Sequence, residues 1–504
     1  MSEMNYKRVD RSDGTGILYF FIRIFGHLPT APLRELLMIP CVRKAFFRFF
    51  KHLMDKQLKT RTEFPRQIQE DKHDLMMAIF EMVEGVVFEA PNKHVRRKRM
   101  QMFLDIFFKR VPKIIKFKKE NGDYPPGFLT IGIGKFCNLK CTGCYASSDT
   151  AAAEKLSWEV MNWMINQKKE LWGSYFTVIT GGEPLVWRSE GKDIFDLAAA
   201  HPDQCFMFYT NGTLINEKIC ERINELGNIN PSISVEGFEA ETDERRGKGT
   251  YAKIINAMKL LKKHNIGFGI SITATNQNAE LLSKDDIYDF YFKEMGASFG
   301  WMFQYMPIGR GVTTELLVTP DQREKLYREI HHLIRDKKYF MVDFWNSGTC
   351  VEGCISAGRY GGYLYVNWNG DVAACTFNPY APANVNDTYK AGKTLNDILN
   401  EPYFKAIRNW MDEYGLRREK DKIGNWITPC ICKDHYRELR PMIDKYKPKP
   451  LDESAQEALD DPAYKEAMFK HADDLAAKFN PIWEKEYLNS DKNTCGSSCS
   501  CNTK

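Results

Sequence analysis

No uninterrupted apolar run in this chain approaches the roughly 20 residues a helix needs to cross a bilayer. Residues 17–28 (ILYFFIRIFGHL) come closest, but the run is short and carries Arg23 and His27. A cleavable secretory signal is missing too, because Glu3, Asp10 and Asp13 crowd the front and no small-residue cleavage site follows. The expected location is therefore cytoplasmic, with peripheral contact to the inner membrane face left open. A strong net charge is also absent, the balance being +5 over 504 residues. That charge is unevenly spread: residues 1–125 hold 25 Lys and Arg against 15 Asp and Glu, so the remainder is net acidic. Two basic patches, His94 to Arg99 and Lys109 to Lys119, come without a stacking-aromatic recognition module, which argues against nucleic acid. A hydrophobic content of 43% and a charged content of 27% describe a folded globular chain rather than a disordered one.

Cysteine, by contrast, is plentiful and clustered. Fourteen occur, and three fall within eight residues as Cys137-x3-Cys141-x2-Cys144, directly after the apolar run Phe128 to Ile133. Iron–sulfur clusters are held by cysteine thiolates, normally four, so three leave one iron open for a small molecule. Two simpler readings are weak. Three thiols cannot pair off as disulfides in a chain without a secretory signal, and a zinc site would be short of a ligand. Eight further cysteines, Cys350, Cys354, Cys375, Cys430, Cys432, Cys495, Cys499 and Cys501, crowd the last third, enough for two more four-thiol sites.

The hydrophobic pattern divides the chain in four. Residues 1–126 read as helical and basic. Within 41–59, Val42, Phe46, Phe47, Phe50 and Leu53 recur at helical steps with Arg43, Lys44, Arg48, Lys51 and Lys56 between them, an amphipathic helix with a cationic face. Such a helix either packs on its neighbour with a solvated basic side or docks on a membrane or partner through residues 17–60. Residues 127–340 alternate strands (128–133, 175–180, 205–210, 231–235, 267–275, 299–305) with helices, which predicts a parallel sheet with helices outside it. Six such units make a partial (β/α)6 barrel of TIM type, an α/β fold whose chemistry collects at the C-terminal ends of the strands. Residues 341–445 carry cysteines around a hairpin-like Tyr363 to Cys375. Residues 446–504 read as polar helices, with Trp483 and Tyr487 as anchors, ending in a cysteine-rich tail.

The second strand ends in Thr180-Gly181-Gly182-Glu183-Pro184. Glycines there let backbone come close to a ligand, and Glu183 offers a carboxylate to an ammonium group. Together with the C-x3-C-x2-C triplet, this resembles the radical S-adenosylmethionine (radical SAM) family. The resemblance implies a [4Fe–4S] cluster on Cys137, Cys141 and Cys144, whose open iron takes the amino and carboxylate groups of SAM, with the Gly-Gly-Glu motif holding the amino group. It implies further SAM contacts from Asn211 after the third strand, Ser234 and Glu236 at the fourth, Arg246 beyond it and Thr273 at the fifth. Relatives often carry an aromatic before the third cysteine; here that position is Gly143, and Tyr145 stands as the replacement cover for adenine.

The cysteines after 340 resemble the auxiliary-cluster extension of the SPASM and twitch subgroups. That implies one auxiliary [4Fe–4S] cluster on Cys350, Cys354, Cys375 and one of Cys430 and Cys432. A second would draw on Cys495, Cys499, Cys501 and the spare thiol, with a flexible metal-scavenging tail as the alternative. The implied activity is reductive cleavage of SAM to a 5′-deoxyadenosyl radical, fed by a reductant such as flavodoxin or ferredoxin, and oxidation or cross-linking of a peptide or protein. Alternatives are radical modification of a lipid or other apolar substrate at the membrane surface, and an iron–sulfur electron carrier without turnover. The Gly-Gly-Glu motif speaks against the last, since a carrier needs no SAM pocket.

Overall fold

The computed structural model describes residues 30–60, 62–88 and 93–489. The tail with Cys495, Cys499 and Cys501 lies outside the described residues, as does the apolar stretch 17–28. Five α-helices run from Thr30 to Asn121: Thr30–Leu37, Pro40–Thr60, Arg66–Phe88, Lys93–Leu104 and Val111–Asn121. The inward face of Pro40–Thr60 buries Phe47, Leu53 and Met54; Phe47 meets Phe80 of the long helix Arg66–Phe88 edge to face.

The core is a parallel sheet. All six expected strands are present, as β1 (Phe128–Gly132), β2 (Phe176–Thr180), β3 (Cys205–Thr210), β4 (Ile229–Val235), β5 (Gly269–Ala274) and β6 (Phe299–Gln304), each hydrogen-bonded to the next in chain order. A singly wound order with right-handed crossovers puts every helix on one face and curls the sheet toward a barrel. The helices Trp158–Trp172, Glu217–Leu226 and Thr250–Lys263 occupy the expected stretches, the first two opened by the side chains of Ser157 and Asn216, which accept from backbone N–H groups.

The break expected at 340 falls inside the sheet instead. A seventh strand, β7 (Met341–Asp343), pairs in parallel with β6. On the opposite edge, β8 (Tyr363–Val366) pairs in parallel with β1 and antiparallel with β9 (Asp371–Ala373), so the cysteine-bearing hairpin extends the same sheet. The last helices also return to the body. Trp483 and Tyr487 are buried as anticipated, and the Tyr487 hydroxyl donates to Asp71 of the long N-terminal helix at 2.7 Å.

The concave side of the sheet is hollow rather than packed. It encloses a cavity of about 560 Å3 reaching from the loops beyond the strand ends to the strand beginnings. There Phe128, Phe176, Val178, Met207 and Trp301 form the wall, and Leu75 and Ile79 of Arg66–Phe88 border the end.

Candidate functional site

The loop after β1 carries Cys137, Cys141 and Cys144, and all three border the cavity. The rest of the barrel pins this loop in place. Gly182 N–H donates to the Gly134 carbonyl at 2.7 Å, and Glu183 N–H to that of Phe136 at 2.9 Å. A Cβ on Gly182 would lie 2.0 Å from the Phe136 oxygen. The Gly-Gly pair is thus required first for contact between two loops, and through it for placing the cysteines. Asn211, ending β3, donates to the Asn138 side chain at 2.8 Å and lies 3.9 Å from the Cys137 sulfur. Arg310, beyond β6, grips the loop from the far side, donating to the Cys141 carbonyl at 2.9 Å and the Ser148 carbonyl at 2.5 Å.

Burial pushes the Cys137 thiol up to about 12 and raises that of Cys141, whose opposing influence is chiefly the Arg246 guanidinium. Thiolates in such a setting need a cation to compensate the lost hydration, as an iron centre does while it displaces their protons. Leu139 N–H points to the Cys137 sulfur at 3.4 Å, a contact that favours the charged form.

Several residues expected to contact SAM also hold the barrel loops together. Glu183 is buried and does not border the cavity. Its carboxylate accepts from Thr210 Oγ1 at 2.7 Å, Asn211 N at 2.8 Å and Leu185 N at 3.1 Å, tying the β2 loop to the end of β3. Burial raises it to about 7 despite those donors. Pro184 opens the short 3-10 turn Pro184–Val186 and is buried beside it. Glu236 is likewise enclosed: Arg245 donates to it at 2.6 Å and Arg246 Nε at 2.9 Å, and the Thr273 N–H at 3.2 Å. The cavity is therefore met by the two arginines rather than by the acid, together with Gly181, Gly182, Asn211, Ser234 and Thr273. Tyr145 borders it too, held by a 2.8 Å hydrogen bond between its hydroxyl and Thr180. The Tyr305 ring, just beyond β6, lies against Gly143. Gly143 has φ +62°, and a Cβ there would lie 2.9 Å from the Tyr305 ring.

A second thiol set lies on the same cavity. Cys354 and Cys375 flank the β8–β9 hairpin, while Cys430 and Cys432 come from a distant loop. The sulfurs of Cys375 and Cys432 are 3.9 Å apart. Burial, then the neighbouring Cys430 and Cys375, push Cys354 up to about 12. Burial works against charge on Cys430 also, yet the hydrogen bond from Cys432 holds it below the usual thiol range; Cys432 is raised by its bonds to Cys375 and Cys430. Cys354, Cys375 and Cys430 border the cavity, and Cys432 sits behind them.

Cys350 borders the same cavity. It is buried, and besides Thr349 its strongest electrostatic neighbours are Asp71, Asp74 and Lys72 of the N-terminal region rather than another thiol. Cys430 and Cys432 both neighbour Cys375 or Cys354 rather than being divided between two groups. Among the described residues no three thiol, imidazole or carboxylate groups close around one point as they would on a single metal ion.

A profile of the radical SAM superfamily matches residues 131–281, the span holding both the cysteine loop and the Gly-Gly-Glu turn. The chain is also 32% identical over 260 residues to an uncharacterised protein of Methanocaldococcus jannaschii, covering 49% of this chain and 84% of that one. It belongs to the radical SAM superfamily. An AdoMet-dependent heme synthase of Methanosarcina barkeri is 28% identical over 280 residues, 50% of this chain and 77% of the synthase. The sporulation killing factor maturation protein of Bacillus subtilis is 31% identical over 162 residues, 32% of this chain and 38% of that protein. Among solved structures, Streptococcus suis SuiB bound to S-adenosylmethionine superposes with a TM-score of 0.47 at 18% identity, over 64% of this chain and 76% of that one. This radical SAM enzyme uses a [4Fe–4S] cluster and SAM.

The sequence alone did not mark Arg245, Arg310 or Tyr305 as site residues. Arg310 acts on the carbonyls of a loop over 160 positions away, a relation no local pattern reveals. Lys433 was missed as well. It is fully buried between Cys432 and Asp434, donates to Gln304 at 2.8 Å and sits 4.7 Å from the Trp345 ring.

Proposed function

We propose that this radical SAM enzyme oxidises or cross-links a peptide or protein whose reacting side chain enters the barrel cavity, with an auxiliary cluster on Cys354, Cys375, Cys430 and Cys432 taking up the leftover electron. The observation that carries this reading is that both thiol sets border one cavity. When bound, the first cluster and SAM supply a 5′-deoxyadenosyl radical that removes hydrogen from an unactivated carbon. The chain's own part is to orient and enclose. Arg310, Asn211 and the Gly-Gly turn fix the first loop, and Arg245 and Arg246, aligned by Glu236, present positive charge beside Cys141. The walls of Phe303, Phe344, Trp345 and Phe377 exclude water from the space between the two thiol sets. The maturation protein of Bacillus subtilis among the relatives supports a peptide substrate.

A second reading, a lipid or other apolar substrate, is favoured by the lower chamber of Phe128, Phe176, Val178, Met207 and Trp301, which is apolar down to Leu75 and Ile79. Iron analysis after anaerobic reconstitution tests the two-cluster core of both readings. About eight irons per chain are expected, with about four left when Cys137, Cys141 and Cys144 become Ala, and about four left when the second set does. A wild type with only about four irons removes the auxiliary cluster.

A further inference from the structure

We propose that the outward face of the helix Pro40–Thr60, with the turn before it, docks the protein on an anionic lipid bilayer. Of the seven large apolar side chains exposed among the described residues, four fall within fourteen positions: Leu36 (52%), Ile39 (46%), Val42 (36%) and Phe49 (44%). Isolated exposed apolar residues are ordinary, but a contiguous group marks an interaction surface. Val42 and Phe49 are seven residues apart, two helical turns, so they share one side, with exposed Ala45 between them. This is the side left over after Phe47, Leu53 and Met54 have gone inward onto the helix Arg66–Phe88.

Charge chooses the occupant. Lys44 and Arg48 are exposed among these apolar residues, and His52 continues the same row. Residues 30–60 hold seven Lys and Arg against two acids. Both acids are engaged, Glu35 with Arg34 and Arg97, and Asp55 with His73. A helix whose exposed apolar side chains are flanked by the exposed cations Lys44 and Arg48 suits the boundary of an anionic bilayer, where the apolar groups enter the acyl edge and the cations meet lipid phosphates. No helix among the described residues is long and apolar enough to cross a membrane, and the contact proposed here lies at the bilayer surface. The inference stands whichever substrate the barrel takes.

Sedimentation with vesicles decides it, using full-length reconstituted enzyme. The wild type is expected to pellet with phosphatidylcholine vesicles containing phosphatidylglycerol, less so with phosphatidylcholine alone, and to be released by high salt. The pair Lys44→Gln/Arg48→Gln is expected to weaken binding about thirtyfold, from the attraction of each basic residue to an anionic surface. The pair Val42→Ser/Phe49→Ser is expected to weaken it on both vesicle types. All four residues lie far from the thiol sets in sequence and none borders the cavity, so SAM cleavage in solution stays at the wild-type rate and shows the variants folded. A wild type that stays in the supernatant with phosphatidylglycerol vesicles overturns the proposal. So does binding that neither pair changes, which would assign it to another part of the chain. Light scattering that shows a dimer abolished by Val42→Ser/Phe49→Ser would make the occupant a second copy and overturn it equally.

Discussion

The two thiol sets solve opposite problems. The first comes from eight consecutive residues of one loop, so its three sulfurs are near each other by covalent connection, and the fold has only to aim them. It does so with backbone contacts from β2, the Asn211 side chain and the Arg310 guanidinium. The second is gathered from three segments spread over Cys354 to Cys432, and the fold itself must close it, through the β8–β9 hairpin and a buried polar net. In that net Arg323 pairs with Asp434 inside the protein at 2.5 Å, and the Cys430 N–H donates to the same carboxylate at 3.1 Å. Under the proposed function, the local loop with its three thiols leaves room for SAM and serves radical generation, and the gathered set serves electron uptake.

The largest effect comes from emptying the first loop. Changing Cys137, Cys141 and Cys144 to Ala is expected to abolish formation of 5′-deoxyadenosine while the second set keeps its iron. Loss of all iron would show that the two sets are not independent. Next, Cys375→Ala should keep SAM cleavage and lose the oxidised product. Equal loss of both would mean that the extension's role is structural.

Arg310→Ala should be milder, because it removes two hydrogen bonds that aim the loop but no ligand. Charged hydrogen bonds of this kind contribute about 1.5–3 kcal/mol each, so losing both is expected to slow SAM cleavage by about a hundredfold or more, with Arg310→Lys between that and the wild type. An altered cluster spectrum on SAM addition at unchanged iron content would mark Arg310 as a positioning residue. Unaltered kinetics would mean that the loop holds itself.

The smallest effect serves as a reference outside both regions. Burial lowers Lys168 from 10.5 to about 7 while it donates to Gln204 and to the Ser174 and Phe176 carbonyls. The unfolded chain holds that proton more tightly than the folded one. Stability is thus greatest above about 10.5 and is lost as pH falls toward about 7, with no further loss below. Melting temperatures should show this slope in the wild type and lack it in Lys168→Met.

The same contrast explains what the sequence could and could not reveal. The six barrel strands were legible from alternation, and the first thiol loop from spacing, because both signals are local. The membership of the second set was not. Nothing within Cys350-x3-Cys354 says which cysteine turns toward Cys375 and which toward Asp71; that depends on where the helix Arg66–Phe88 packs. Nor could the sequence show the company Glu183 and Glu236 keep: each accepts from neighbouring groups, Thr210 and Asn211 for one and the Arg245–Arg246 pair for the other.

Strand β1 is stitched along both edges, to β2 on one side and β8 on the other. The hairpin that carries Cys354 and Cys375 therefore cannot swing aside to admit a reactant without unzipping backbone from the very strand that launches the first thiol loop. Traffic into and out of the barrel has to pass elsewhere around its rim, and the seam at β1 couples the position of the hairpin's thiols to that of the first loop.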